Sequence, residues 1–163
     1  METILCVDDE QNVLEAFQRQ LRKQYSLELA ASGEEALERL RTEGPFAVIV
    51  ADMNMPGMNG VQLLAKVREA SPDTVRIMLP GAGDFQTAIT AVNEGNIFRF
   101  LAKPCPAETL ALALEAGLAQ YRLVTAEREL LEKTLHGSLR AMVDILALAN
   151  PSAFSRAMRL RQY

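Results

Sequence analysis

Apolar and polar positions along the first hundred residues follow two alternating periodicities. Short apolar or alternating runs of strand length occupy residues 4–7, 25–30, 46–51, 75–79 and 97–101. Helix-spaced stripes lie between them. Val13, Leu14, Phe17 and Leu21 make the first, and Ala36, Leu37 and Leu40 the second. Val61, Leu64 and Val67 make the third, and Phe85, Ala88, Ile89 and Val92 the fourth. Ser32 with Glu35 three residues on predicts a capping box before the second stripe, and Asp84 is placed to cap the fourth. Gly44-Pro45, Pro56-Gly57, Ser71-Pro72-Asp73 and Gly95-Asn96 punctuate the series. Strand and helix alternating this often predict an α/β fold, a doubly wound parallel sheet of five strands covered on both faces.

Beyond Lys103-Pro104 the pattern changes. Pro106 suits the first turn of a helix, and the next proline is Pro151. Leu110, Leu114, Gly117, Tyr121, Val124, Arg128, Leu131 and Leu135 follow a four-three spacing, interrupted by Gly117 and Arg128. A helix that covers its own sheet needs only about 12–15 residues, whereas this one can continue to Asn150-Pro151. The surplus requires a second chain or a following domain. The expected organisation is a domain over residues 1–120, a helical signalling or dimerisation extension over 121–149, and a tail or the start of a truncated output domain over 150–163. A homodimer through the extension is the expected assembly; its orientation is left open, a parallel pair being the arrangement that best carries a signal from two receivers to two outputs.

Composition narrows the class. The chain has 163 residues, 49% hydrophobic and 23% charged, which suits a globular core and excludes disorder or a disulfide scaffold. Its longest apolar runs reach about six residues, too short for a membrane span, and Met-Glu-Thr-Ile is no signal peptide. Cys6 and Cys105 therefore read as reduced thiols and the location as cytoplasmic. The net charge of −4 is uneven: residues 1–104 carry 10 Lys/Arg against 15 Asp/Glu. Such an acidic region argues against DNA binding, and Arg156, Arg159 and Arg161 read as a solvated face.

Candidate chemistry follows from the topology. In a doubly wound sheet the ligand crevice lies at the carboxyl ends of the strands. Those ends carry Asp8-Asp9-Glu10, Asp52, Pro80-Gly81 and Lys103-Pro104. Carboxylates gathered this closely call for a cation, and hard oxygen ligands with room for water suit Mg²⁺. Asp9 taken alone could equally be a helix N-cap. Asp8, Asp9, Asp52 and Lys103 together are poorly explained as structural residues.

Three segments at these strand ends resemble the receiver domains of two-component response regulators. They are Val7-Asp8-Asp9-Glu10, the run Val48-Ile49-Val50-Ala51-Asp52-Met53-Asn54-Met55-Pro56-Gly57-Met58-Asn59-Gly60, and Phe98-Arg99-Phe100-Leu101-Ala102-Lys103-Pro104. The resemblance covers roughly residues 1–120 and implies a flavodoxin-like, CheY-like receiver. It implies that Asp52 is a phosphoacceptor served by a sensor histidine kinase. It further implies that Asp8, Asp9, Asp52 and the backbone carbonyl of Asn54 bind Mg²⁺, and that Lys103 and the Gly81 N–H meet the phosphoryl oxygens. Phe100 stands where the family carries its switch aromatic.

One position departs from the family. Pro80 stands where a Thr or Ser hydroxyl is usual, and proline offers neither hydroxyl nor N–H. A non-switching pseudo-receiver acting as a dimerising adaptor is therefore an alternative expectation. A third, a Mg²⁺-dependent phosphatase on the haloacid-dehalogenase plan, wants an aspartate where Asn54 stands. The segments 121–135 and 145–154 resemble the connector of regulators with HD-type or HD-GYP cyclic-di-GMP phosphodiesterase outputs. No His-Asp pair follows, and His136 reads as a solvent-facing helix residue. The chain is thus expected to be no enzyme by itself.

Overall fold

The computed structural model describes residues 1–94 and 96–149. Strands β1 (Thr3–Val7), β2 (Ser26–Ala30), β3 (Val48–Asp52), β4 (Val75–Leu79) and β5 (Arg99–Phe100) alternate with helices α1 (Gln11–Leu21), α2 (Gly33–Glu43), α3 (Gly60–Ala70), α4 (Phe85–Asn93) and α5 (Ala107–Ala149). The strands form one parallel sheet in the order β2-β1-β3-β4-β5, as the alternating pattern predicts. Between β1 and β3 the winding reverses direction. Asp8 and Asp52 follow or end these two strands, so they meet at the switch point.

Alternation along each strand divides the core into two layers. In β1, Ile4 and Cys6 join Leu14, Phe17, Leu110 and Leu114 beneath α1 and α5. Leu5 and Val7 turn the other way, to Leu63, Leu64, Val67 and Ala88 beneath α3 and α4. Both faces are dry, which is why β3 carries no polar residue before Asp52.

Several boundaries and faces differ from those expected. β5 pairs over only two residues, although Phe98 N–H and Leu101 N–H still donate to carbonyls of Arg76 and Met78 on β4. Tyr25, Phe46 and Ala47 precede their strands rather than open them. α4 buries Ala88 and Ala91, leaving Phe85 and Ile89 at 43% and 42% exposure, so the expected stripe is rotated. Small residues let this short helix lie close to the sheet; Val92 still packs against the core, whereas Phe85 and Ile89 point outward. Pro106 precedes the first turn of α5, where its carbonyl accepts from Leu110 N–H.

Ser32 caps α2 as expected, accepting from Glu35 N–H, but the Glu35 carboxylate accepts from Ala31 N–H rather than from the cap residue. A full capping box occurs instead at Asn59 and Gln62, opening α3. Between these two residues, a Cβ at Gly60 would collide with the backbone of Asp52 and Met53. Only glycine lets α3 start this close to the end of β3.

The chain divides into two units, Met1–Leu123 and Val124–Tyr163. In the first, Leu110, Ala113, Leu114, Gly117 and Leu118 of α5 are buried and Tyr121 is half-buried. A Cβ on Gly117 would stand 3.2 Å from Val48 Cγ2 and 3.5 Å from Val75 Cγ1. The glycine that interrupts the apolar stripe thus lets α5 lie close against the sheet. In the second unit, α5 continues through residues that are exposed or half-exposed, including Leu131, Leu135, Leu139, Met142, Ile145 and Leu146. His136 is exposed. Asn150-Pro151 and the arginines at 156, 159 and 161 lie outside the described residues. No helix among the described residues is long and apolar enough to cross a membrane.

Candidate functional site

Each chemical group enters the crevice from the carboxyl end of a strand. Asp8 follows β1, and Asp8 is fully buried. Its Oδ1 accepts from the Glu10 N–H at 2.9 Å, which fixes the carboxylate against the start of α1. Asp9 is exposed, and Glu10, without a side-chain cap, holds the N-cap position of α1. Asp9 is therefore not the cap, and its carboxylate is free to face the crevice. Asp52 ends β3 and is 5% exposed. One carboxylate oxygen from each of Asp8, Asp9 and Asp52 can be chosen so that all lie within 4.8 Å of one another.

Lys103 closes the cluster from the loop after β5. Its Nζ donates at 3.0 Å to Asp52 Oδ1 and at 3.2 Å to Asp8 Oδ2. Burial works to lower the Lys103 pKa, but the hydrogen bonds and charges of Asp52 and Asp8 outweigh it and the net shift is upward. Burial raises the Asp8 pKa, against the lowering influence of the Glu10 N–H and Lys103, with Asp52 adding to the rise. A fixed ammonium thus stabilises carboxylates that would otherwise repel one another. Three hard oxygen donors converging on one point also suit a small divalent cation that keeps several waters.

The remaining positions line the rim. Pro80 is buried after β4, and its carbonyl is 3.5 Å from the Lys103 backbone N–H that donates to it. Gly81 follows in the loop that leads to α4. Phe100 is half-buried on β5, its ring centroid 6.2 Å from that of Phe85 at an interplanar angle of 53°. The expected cap at Asp84 is not formed. Asp84 occupies the N-cap position of α4, but its Oδ2 accepts from Asn54 Nδ2 at 2.8 Å instead. Nothing local in the sequence signals this bond, because its partners are thirty residues apart in different loops.

Residues 4–115 match the response regulator receiver domain. The chain belongs to that family. This receiver is 32% identical over 161 residues to the hydrogenase transcriptional regulatory protein HoxA of Cupriavidus necator, covering 96% of the chain and 33% of that protein. It therefore spans about a third of that curated relative. Among solved structures it resembles the adenylate cyclase from Rhodopirellula baltica, with TM-score 0.80, 45% identity, and coverage of 81% of this chain and 98% of that one. It also resembles the signal receiver domain of an HD domain-containing protein from Pseudomonas fluorescens, with TM-score 0.69, 33% identity, and coverage of 74% and 97%. The receiver fold and its place in two-component signalling thus agree with the resemblance read from the strand ends.

Proposed function

We propose that this receiver accepts a phosphoryl group on Asp52 from a phosphohistidine of a sensor histidine kinase. The observation that carries the reading is the Lys103 ammonium held on Asp52 and Asp8 beside a third carboxylate. A carboxylate oxygen of Asp52 forms the O–P bond as the N–P bond of the donor breaks, and the imidazole nitrogen keeps the electron pair. Lys103 and the backbone N–H of Gly81 stabilise negative charge on the phosphoryl oxygens. Asp8, Asp9, Asp52 and the Asn54 carbonyl would hold Mg²⁺, which when bound supplies further positive charge there. Phe100, packed against Phe85, is the candidate reporter of the crevice at the far edge of the sheet.

The chain by itself is stoichiometrically phosphorylated and does not turn over substrate. The exposed apolar side chains of residues 124–149 pair with the same segment of a second copy, and the paired helices relay the signal to an output domain. The resemblance of segments 121–135 and 145–154 and the Pseudomonas fluorescens neighbour favour an HD-type output, a cyclic-di-GMP phosphodiesterase among them. The HoxA relationship favours a transcriptional one. Segment 145–154 runs beyond the described residues.

A second reading, a non-switching adaptor, is favoured by Pro80. Mass spectrometry after incubation with acetyl phosphate and Mg²⁺ separates the readings. One stable adduct, lost in Asp52→Asn, is expected. Absence of an adduct supports the adaptor, continuous phosphate release supports a phosphatase, and undiminished labelling of Asp52→Asn overturns the choice of nucleophile.

A further inference from the structure

The loop between β4 and α4 is held from two sides. The carbonyl of Pro80, at its start, accepts from the backbone N–H of Lys103 at 3.5 Å. At its end, the Asp84 carboxylate accepts from the amide of Asn54, two residues beyond Asp52, at 2.8 Å. Asp84 N–H also donates to Gly81 O at 3.2 Å, closing the turn between them. Both side chains pass over Gly81: a Cβ there would stand 3.4 Å from Asp84 Oδ2 and 3.5 Å from Asn54 Nδ2.

The choice of partner is informative. An aspartate at an N-cap position ordinarily accepts from the first turn of its own helix. Asp84 makes no such bond, and α4 begins without a side-chain cap. Its carboxylate is spent on the loop that carries Asn54. Pro80, meanwhile, has no hydroxyl by which a phosphoryl group could draw this loop inward. A loop that cannot be pulled into place by the ligand has to be placed beforehand.

We propose that Asp84 is a positioning residue for the reaction at Asp52. Through the Asn54 amide it holds residues 80–84, and with them the Gly81 N–H, in the phosphoryl-receiving position before any phosphoryl group arrives. This rests on the reading of Asp52 as the acceptor. The hydrogen bond, rather than the negative charge, performs the positioning. Asparagine at 84 would keep an acceptor oxygen in the same place, and alanine would not.

The test uses the full chain with Asp84→Ala and Asp84→Asn. Amide hydrogen exchange over residues 81–85 is measured without ligand, and the initial rate of Asp52 labelling by acetyl phosphate with Mg²⁺ is followed by intact mass. Loss of one hydrogen bond is expected to speed exchange and slow labelling about 2- to 10-fold in Asp84→Ala. Asp84→Asn is expected to restore both to within about twofold of wild type. Asp84→Ala labelled at the wild-type rate overturns the proposal, and so does Asp84→Asn as slow as Asp84→Ala. A wild-type chain that takes no label at all defeats the acceptor reading first and the positioning role with it, which distinguishes the two failures.

Discussion

The Lys103 ammonium stands 3.0 Å from Asp52 Oδ1, reaching across the crevice from the loop after β5 to the end of β3. It also neutralises Asp8, a fully buried carboxylate. Replacing it with an apolar side chain of similar length leaves that charge without its cation. Lys103→Met is expected to lower the unfolding free energy by about 1–3 kcal/mol in EDTA. Part of the loss should return in millimolar MgCl₂, because a divalent ion bound to the same carboxylates stabilises the folded state. Urea denaturation in both buffers checks this. Equal stability of the two proteins in EDTA would show that the ion pairs contribute nothing.

Pro80 sets the second expectation. A ligand shifts an equilibrium only through contacts that differ between its states, and the hydroxyl contact is missing at Pro80. Beryllofluoride is expected to protect the Gly81 N–H that donates to it but to leave the exchange of residues 82–85 nearly unchanged in the wild-type chain. Pro80→Thr should introduce a clear protection change. Strong protection of residues 82–85 in the wild-type chain on beryllofluoride binding would contradict this account.

The helical extension supplies the third. Leu131 and Leu135 are 63% and 62% exposed, and Leu139, Met142, Ile145 and Leu146 are all above half exposure. A helix in a folded protein draws most of its stability from packing an apolar face. Burying each such side chain is worth about 1.5–3 kcal/mol, enough for several pairs to outweigh the cost of association. Sedimentation equilibrium at micromolar concentration is expected to show a dimer that Leu131→Asp with Leu135→Asp dissociates. A wild-type monomer, or a dimer indifferent to the double substitution, would rule out this interface.

The fourth concerns the opposite end of the sheet, where Tyr25 Oη donates to Glu115 Oε1 at 2.5 Å. Burial, reinforced by the hydrogen bond and charge of Glu115, pushes the phenol up to about 12. Because the folded pKa lies above the ordinary value near 10, the stabilisation is complete below about pH 10 and is lost as pH rises through about 12. Tyr25→Phe is expected to remove a tyrosinate step near pH 12 from a spectrophotometric titration and to cost about 1 kcal/mol at neutral pH. Loss of a step near pH 10 instead would mean that Tyr25 ionises as a solvated phenol.

The βα alternation, the two-faced core and the carboxylates at the strand ends are all legible in the order of residues along the chain. These are local or periodic properties: alternation along a strand puts Ile4 and Leu5 in different layers wherever the strand lies. Parallel strands also bring Asp8, Asp52 and Lys103 to one edge, because every carboxyl end points the same way. The bounds of β5 and the buried face of α4 were less legible. Both depend on which neighbour an element packs against, and Phe85 and Ile89 are as apolar as any core residue.

Which partner each side chain meets emerges once the elements pack together. Gly117 looks like a flaw in an apolar stripe until Val48 and Val75 are seen beneath it. Asp84 looks like a helix cap until Asn54, thirty residues earlier, takes its carboxylate. Local periodicity reports which residues leave water, since that depends on spacing within one element. It cannot report which polar partner a side chain meets, because that choice is made between elements the fold brings together.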